Sequence, residues 1–359
     1  MDFTLYSDYF IIINCMILLF SLIIDMIIGD PHFKNHPVMH IGNLINWLKT
    51  KLRTGKSKLD KILGILLLIL VILIFCIPIY LFQIIVWWFW NIWIIPDWEI
   101  PNLINLLTFS ALMGFVLKWT FAVKNLGDVS LPIGEALKQH NLEKARTELS
   151  LIVRRETKEL EKKHILSATV ECIAESTTDS VTSVFWFYLM GNLLGIIIFT
   201  FFHKNFLWLF LGIPSAYIFR IINTADSIVG YKDLENINIG WFSAKMDDFS
   251  NYIPTRLTVL FMLFAGKILK YNVKNACIVL KSNKKKTESV NAGWTMSTMA
   301  GLLNVQLEKI GYYKLGIPTR ILEPYDIKSA YKLFQLTVIL FIFVVSAITF
   351  IIIFILLLY

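Results

Sequence analysis

The chain has 359 residues, of which 56% are hydrophobic and only 17% are charged, and its mean hydropathy is +0.64. These values exclude an ordinary soluble domain, in which about a quarter of the residues are charged. The net charge of +8 comes from basic loops beside apolar segments. These loops lack the interleaved aromatic residues of a groove that binds a nucleic-acid strand. We therefore expect a lipid bilayer, and no nucleic acid, as partner. The sequence predicts one all-α, polytopic membrane bundle of about five to six spans with cytoplasmic helical inserts.

The predicted spans follow from apolar segments of about 20 residues, the length that crosses a bilayer. The first, residues 9–28, ends at Gly29-Asp30-Pro31. The uncharged segment 62–95 contains Pro78 and predicts one long, tilted or broken helix. Further spans are predicted at residues 102–117, 181–202, 205–222 and 334–358.

Charge asymmetry predicts the orientation of these spans. The tail before the first span carries only Asp2 and Asp8, whereas the following loop is basic. Its basic residues are Lys34, Lys49, Lys51, Arg53, Lys56, Lys58 and Lys61. By the positive-inside rule, the N-terminus lies outside. The polar segments 29–61, 118–180 and 223–332 are then cytoplasmic, and we expect the functional site there.

Residues 141–180 show helical periodicity and place Glu171, Glu175 and Asp179 at i, i+4 and i+8. Like charges at this spacing repel, so such a face favours a cation or a basic partner. A solvated face balanced by neighbouring lysines is the alternative interpretation. Arg154 and Arg155 offer bidentate donors to phosphate or carboxylate groups, with ordinary surface pairing as the alternative.

The segment from Arg220 to Tyr231 begins in a predicted span and ends in the cytoplasm. Arg220, Asn223 and Asp226 occur there, and charged groups at the mouth of a membrane helix are costly unless they are paired or functional. The segment therefore predicts a site-lining helix. An arginine that snorkels to the interface is the alternative.

A second polar segment, Lys245 to Leu257, carries Asp247-Asp248, Asn251 and Arg256. Adjacent aspartates supply hard oxygen ligands of the kind that Mg²⁺ accepts. A pair of aspartates is also typical of a helix N-terminus, so this interpretation stays open.

His32, His36 and His40 are spaced by four residues, but Pro31 and Pro37 disfavour the continuous helix that a metal stripe needs. We interpret this segment as a turn that closes the first span. The chain contains neither a Gly-x-x-x-x-Gly-Lys-Ser/Thr loop nor a Gly-x-Gly-x-x-Gly motif, so any nucleotide binds without these loops.

Short motifs occur in a fixed order between about residue 20 and residue 316. They are Gly29-Asp30-Pro31, His36-Pro37 and Gly42; Ala145-Arg146, Leu149-Ser150 and Val153 to Thr157; Glu171, Ala174-Glu175 and Asp179; Arg220, Asn223-Thr224, Asp226-Ser227 and Val229-Gly230-Tyr231; Ala244 to Arg256; and Asn291-Ala292-Gly293-Trp294 with Met299-Ala300-Gly301. This arrangement resembles the CbiB/CobD family of cobalamin biosynthesis. The chain departs from the family pattern at Glu156, Ser176, Ser180, Val184, Val290 and Thr295.

The resemblance implies an adenosylcobinamide-phosphate synthase, a carbon–nitrogen ligase that uses ATP and Mg²⁺. It would join aminopropanol, or its phosphate, to the free propionate of adenosylcobyric acid. The residues that would hold Mg²⁺ with ATP are Asp226, Asp247 and Asp248. The residues that would bind the substrates are Arg155, Arg220, Asn223, Lys245, Asn251, Arg256, Asn291 and Trp294, the last by packing on the corrin. Glu171, Glu175 or Asp179 would position or deprotonate the amine. A non-catalytic corrinoid carrier or regulatory protein on the same scaffold is the alternative.

Overall fold

The computed structural model describes residues 4–30, 36–92, 99–153, 155–201 and 206–358. Within these ranges the chain forms fourteen α-helices, one π-helical segment, one 3₁₀ turn and one antiparallel pair of short strands. Several helices are long and apolar enough to cross a bilayer. The protein is therefore an all-α, polytopic membrane protein, which confirms the predicted fold class.

The helices alternate between long apolar elements and shorter amphipathic ones. The first seven are α1 (Thr4–Ile28), α2 (Pro37–Leu52), α3 (Ser57–Ile92), α4 (Glu99–Lys118), α5 (Val123–Lys138), α6 (Leu142–Ser150) and α7 (Lys162–Ser176). The π-helical segment Thr177–Thr182 joins α7 to α8 (Ser183–Phe201). After the 3₁₀ turn Phe206–Phe210 come α9 (Gly212–Val229), α10 (Trp241–Ser250), α11 (Tyr252–Ile268), α12 (Val273–Asn283), α13 (Ala292–Leu303), β1 (Leu307–Lys309), β2 (Tyr313–Leu315) and α14 (Tyr325–Leu357).

Four segments of the described chain qualify as membrane spans by length and composition. They are Tyr9–Ile28, Ser57–Phe89, Lys162–Phe201 and Tyr325–Leu357. The pair Leu103–Lys118 and Val123–Lys138, bent by 43°, makes five if it forms one broken span. Residues 62–92 of the segment predicted at 62–95 lie in α3, a helix of 36 residues and about 54 Å that Pro78 does not interrupt. Residues 93–95 lie outside the described residues.

Two predicted spans differ from the helices observed. The segment predicted at 181–202 is the end of a helical stretch that already begins at Lys162, so part of the predicted cytoplasmic segment 118–180 belongs to an apolar helix. The segment predicted at 205–222 is not one helix, because the 3₁₀ turn ends at Phe210 and α9 starts at Gly212. Pro214 lies in the first turn of α9, the part of a helix where the missing N–H of proline is tolerated.

The chain divides into two compact units. The first comprises residues 1–122, 184–247 and 345–359, and the second comprises residues 123–183 and 248–344. In the first unit α1 packs against α4, and α3 packs against α2 and α9. In the second unit α13 packs against α7, α11 and α12, while α5 packs against α6 and α7.

Candidate functional site

Three polar side chains follow one face of α9 in the first unit. Arg220, Asn223 and Asp226 are spaced by three residues, which places them on neighbouring turns. Nη1 of Arg220 donates to Oδ1 of Asn223 at the long distance of 3.5 Å. Nδ2 of Asn223 donates to Oδ1 of Asp247 over 3.1 Å. Asn223 therefore connects a guanidinium on α9 to a carboxylate on α10.

The position of Asp226 depends on the glycine that ends the helix. The N–H of Gly230 donates to the carbonyl oxygen of Asp226 over 2.8 Å. A Cβ atom at position 230 would overlap Oδ1 of the same aspartate. A residue without a side chain is therefore required for the Asp226 carboxylate to keep this position.

In the second unit, aromatic rings and an amide surround the guanidinium of Arg256. Its Cζ lies 3.7 Å from the ring centroid of Tyr252 and 4.6 Å from that of Trp294. Nη1 donates to the carbonyl oxygen of Tyr252 over 2.8 Å and to Oδ1 of Asn291 over 2.5 Å. Burial lowers the pKa of Arg256 because it disfavours the charged form. The stacked rings and the amide hold the guanidinium in one orientation.

Two of the predicted site residues in this unit, Asn251 and Asn291, are buried asparagines that bind other groups of the protein. Nδ2 of Asn291 donates to the carbonyl oxygen of Asp248 over 2.9 Å, so its amide links Arg256 to the start of the segment 248–256. Oδ1 of Asn251 accepts the hydroxyl of Ser183 over 2.6 Å. Both side chains are buried, at 5% and 1% exposure respectively. Their observed contacts are internal links.

Glu171 is a buried carboxylate with three donors around it. The hydroxyl of Ser167 donates to Oε1 over 2.6 Å, and the hydroxyl of Tyr313 donates to Oε2 over 3.2 Å. Nη2 of Arg155 lies 3.6 Å from Oε2. These groups contact both carboxylate oxygens, so Glu171 holds Ser167, Tyr313 and Arg155 in place.

The groups next to Glu171 are electrostatically perturbed. Burial, followed by the charges of Glu171 and Glu175, raises the pKa of Tyr313, so its hydroxyl remains a donor. On β1, hydrogen bonds from Lys163 and Lys314 lower the pKa of Glu308 to about 2. The backbone N–H of Glu308 also donates to Oγ of Ser167 over 2.6 Å. Strand β1 is thereby attached to the helix that carries Glu171.

Asp179 lies in the π-helical segment, four residues after Glu175, which is near the end of α7. A π-helix contains more residues per turn than an α-helix, so the i, i+4, i+8 spacing predicted for one face holds only for Glu171 and Glu175. Hydroxyl groups at the end of the segment anchor it. Thr182 lies 2.6 Å from the hydroxyl of Thr258, and the next residue, Ser183, binds Asn251.

A second charged cluster, in the first unit, consists of Asp30, His36, Lys118 and Trp119. Lys118 ends α4, is fully buried and forms an ion pair with Asp30. Nδ1 of His36 accepts the N–H of Val38 over 3.1 Å, which leaves Nε2 3.5 Å from Oδ1 of Asp30. The ring of Trp119 lies against both side chains, with its centroid 4.3 Å from Nζ of Lys118 and 5.1 Å from the centroid of the His36 ring.

Comparison with known proteins decides the family. A family model described as CobD/Cbib protein matches residues 18–337. The chain belongs to the CobD/CbiB family. It is 34% identical over 325 residues to a probable cobalamin biosynthesis protein CobD of Methanothermobacter thermautotrophicus, an alignment that covers 90% of this chain and 94% of the relative.

Two further relatives of the CobD/CbiB family have similar coverage. A probable cobalamin biosynthesis protein CobD of Thermoplasma volcanium is 33% identical over 89% of this chain and 92% of its own. The cobalamin biosynthesis protein CobD of Dehalococcoides mccartyi is 31% identical over 88% of this chain and 91% of its own. No solved structure matches the chain. These findings confirm the predicted family. Together with the apolar helices, they indicate a membrane protein with a role in cobalamin biosynthesis.

The structure places the predicted site residues of this CobD/CbiB chain in local sets. In the first unit, hydrogen bonds connect Arg220, Asn223 and Asp247. Asp226 lies on α9, like Arg220 and Asn223, and Lys245 is exposed on α10. The second unit contains two sets. One set consists of Asp248, Arg256, Asn291 and Trp294, and the other consists of Arg155 and Glu171. Glu175 and Asp179 are half-buried further along the helix that carries Glu171.

The predicted metal ligands do not form a closed cluster by themselves. Within the described ranges, no group of three or more His, Cys, Asp and Glu side chains is arranged to hold a metal ion. Mg²⁺ that arrives with a nucleotide needs only one or two protein carboxylates, since phosphates and water complete its shell. Asp226 and Asp247 fit that requirement, and their role stays a prediction.

His40 lies exposed on α2, while His32 and Arg154 lie outside the described residues.

Sequence reasoning did not select Asp30, His36 and Lys118 as site residues. The motifs Gly29-Asp30-Pro31 and His36-Pro37 contributed to the family resemblance, but they were interpreted as a turn. Lys118 went unnoticed because its partner is 88 residues away. A lysine followed by a tryptophan at the end of an apolar segment was the available signal. A cation there complements the negative end of a helix dipole.

Proposed function

We propose that this protein is an ATP-dependent ligase that joins aminopropanol, or its phosphate, to the free propionate of adenosylcobyric acid. Its membership of a cobalamin biosynthesis family supports a corrinoid substrate and a membrane location. The observation that carries the proposal is the linked set of Arg220, Asn223 and Asp247, beside Asp226, at the end of α9. Cations and carboxylates held together in this way are the groups that phosphoryl transfer requires.

A carboxylate resists attack by an amine at neutral pH, so the propionate needs activation. In the proposed reaction the γ-phosphoryl group of ATP passes to a propionate oxygen, giving an acyl phosphate and ADP. The amine nitrogen then attacks the acyl carbon, the amide bond forms and inorganic phosphate leaves. A protein base takes the proton that the amine loses.

The first-unit residues suit the phosphoryl transfer. Asp226 and Asp247 would hold Mg²⁺, which neutralises charge on the phosphates. Arg220 and the exposed Lys245 would bind phosphate oxygens. Asn223 keeps Arg220 and Asp247 aligned, because its amide contacts both. Loss of Asn223 would therefore uncouple two charged groups at once.

The second-unit residues suit the amine and the corrinoid. Glu171 holds Tyr313 and Arg155 in place, so we assign proton acceptance to Glu175 or Asp179. Three of the five guanidinium N–H groups of Arg256 bind Tyr252, Asn291 and Val290, which leaves two donors for an anionic substrate group. Lys284 lies 4.2 Å from the Trp294 ring centroid, so cations already contact the ring that was predicted to pack on the corrin.

We also propose that the N-terminus lies outside and that the functional residues face the cytoplasm. The basic loop between α2 and α3 supports this orientation. Labelling of intact cells with an impermeant thiol reagent tests it. Asp226→Cys, Asp248→Cys and Asn291→Cys should resist the reagent. Asp97→Cys should react, because this orientation puts the loop between the predicted spans 62–95 and 102–117 outside. Labelling of the first three from outside would overturn the orientation.

Mass spectrometry of the corrinoid product tests the reaction. Purified protein with ATP, Mg²⁺, adenosylcobyric acid and aminopropanol phosphate should give the amide, and omission of any substrate should abolish it. Asp226→Asn and Asp247→Asn should each lower the rate by about 10- to 100-fold. Asp128→Asn removes an exposed carboxylate on α5 and serves as the matched control.

Two results would contradict the proposal. One is an unchanged ligation rate in both Asp226→Asn and Asp247→Asn, which would exclude these aspartates as Mg²⁺ ligands. The other is corrinoid uptake into protein-containing vesicles without any covalent change, which would favour the carrier.

A further inference from the structure

A basic cleft in the first unit is lined by none of the residues assigned to the reaction. Its volume is about 620 Å³, within the range of small-molecule sites. It is lined by Asn46, Lys49, Thr50, Arg53, Thr54, Gly55 and Glu235. The C-terminal end of α2 and the loop before α3 supply all of these residues except Glu235.

The loop that forms one side of the cleft is held by a buried carboxylate. Oδ1 of Asp60 accepts the N–H of Thr54 over 2.8 Å and its hydroxyl over 2.7 Å. Oδ2 accepts the N–H of Gly55 over 3.1 Å. Gly55 has a φ of +79°, a conformation that favours glycine. The loop shape is therefore specified by the chain itself.

The cations of the cleft remain available to an external anion. Neither a hydrogen bond nor an ion pair engages the guanidinium of Arg53 among the described residues. Lys49 forms one weak ion pair among the described residues, since its Nζ lies 3.7 Å from Oε2 of Glu235, whose side chain is 66% exposed. Its charge also acts on Asp233. Such exposed pairs contribute little, so an anion with more charge can replace the glutamate.

The position of the cleft indicates where its anion comes from. A candidate span starts at Ser57, two residues after Gly55, so the cleft lies where a helix enters the bilayer. Trp47 on α2 is 56% exposed, and tryptophan is typical of the membrane interface. Lys51, Lys56 and Lys58 are exposed around the same loop. Basic clusters beside a membrane helix attract anionic lipid.

We propose that this cleft binds the phosphate of an anionic phospholipid headgroup. Arg53 offers paired N–H donors to phosphate oxygens, and Lys49 contributes a second cation. Thr50 and Asn46 line the remaining wall. A soluble phosphate compound has the same binding chemistry, so the test separates the two sources.

Native mass spectrometry of the full-length protein in neutral detergent measures the binding. The probes are dioctanoyl phosphatidylglycerol, dioctanoyl phosphatidylcholine and glycerol 3-phosphate. Each cation near a lipid surface contributes about a fivefold gain in affinity, so Lys49→Gln with Arg53→Gln should weaken phosphatidylglycerol binding about 25-fold. Glu235→Gln should strengthen it up to about fivefold, because it removes the competing carboxylate.

The matched control removes two exposed lysines from another basic segment. Lys281→Gln with Lys285→Gln should change the affinity less than about twofold if the cleft is specific. Lys49→Arg with Arg53→Lys keeps both charges and should retain binding, which checks that the loss comes from charge and not from misfolding.

Three results would overturn the proposal. If the variant at Lys49 and Arg53 and the variant at Lys281 and Lys285 lose the same affinity for phosphatidylglycerol, the lipid is attracted to the whole surface. If the variant at Lys49 and Arg53 loses no affinity, the cleft is not the binding site. Binding of glycerol 3-phosphate as tight as that of phosphatidylglycerol, with the same dependence on Arg53, would assign the cleft to a soluble phosphate compound and not to a lipid.

Discussion

Replacing Lys118 by methionine removes one charge of a buried ion pair and keeps most of the side-chain volume. Lys118 is fully buried, and the side chain of its partner Asp30 is only 14% exposed. Loss of one member of a buried pair costs about 3 to 5 kcal/mol, because the other charge stays behind. We expect the lower end, about 3 kcal/mol, since His36 still faces Asp30.

Thermal unfolding in detergent measures this cost. About 2 °C per kcal/mol, the value for larger chains, gives a decrease of about 6 °C in Tm. Asp30→Asn in the Lys118→Met background should recover most of the loss, because neutralising both partners leaves no unpaired charge. Lys138→Met breaks an exposed pair with Glu135 and should change Tm by less than about 2 °C.

The effect also depends on pH. Burial opposes ionisation of Asp30, but hydrogen bonds from His36 and Lys118 outweigh it and lower its pKa. A carboxyl group with a lowered folded pKa stabilises the protein above its ordinary value of about 4, and this contribution is lost as pH falls through the folded pKa. The advantage of the unsubstituted protein over Lys118→Met should therefore shrink below about pH 4. A constant difference, or a double variant whose losses simply add, would refute the ion-pair argument.

Two further predictions concern residues beside the proposed site, one on stability and one on the reaction rate. Tyr313→Phe removes a donor to the buried Glu171 and should cost about 1.5 to 3 kcal/mol in unfolding free energy, measured against Tyr312→Phe, whose ring is 65% exposed. Gly230→Ala introduces a Cβ atom that overlaps Asp226 and should lower ligation at least about tenfold with an unchanged elution profile. In the Asp226→Ala background the added Cβ meets only the backbone oxygen of residue 226, so the further effect on the rate should be smaller. An equal additional loss would show that position 230 does not act through the Asp226 carboxylate.

Composition and periodicity were sufficient to predict the apolar helices, because burial in lipid requires long uncharged segments. The residues 9–28 agree with the first candidate span. Local spacing did not predict the π-helical segment, whose extra residue per turn is stabilised by distant partners such as Thr258. It also did not predict that α7 extends the apolar helix towards Lys162. The polar residues of α7 are satisfied by hydrogen bonds that involve β1 and β2.

The anchoring of the π-helical segment suggests how a buried asparagine acts on the reaction. A π-turn is rarely stable alone and is often found at functional sites. Here the Ser183 hydroxyl donates to Asn251 at one end, and the Thr182 and Thr258 hydroxyls pair beside it. Asn251 is 1% exposed, and its Oδ1 accepts the hydroxyl of Ser183, directly after the segment that carries Asp179. We therefore propose that Asn251 acts as a positioning residue for the proposed base and not by contact with a substrate.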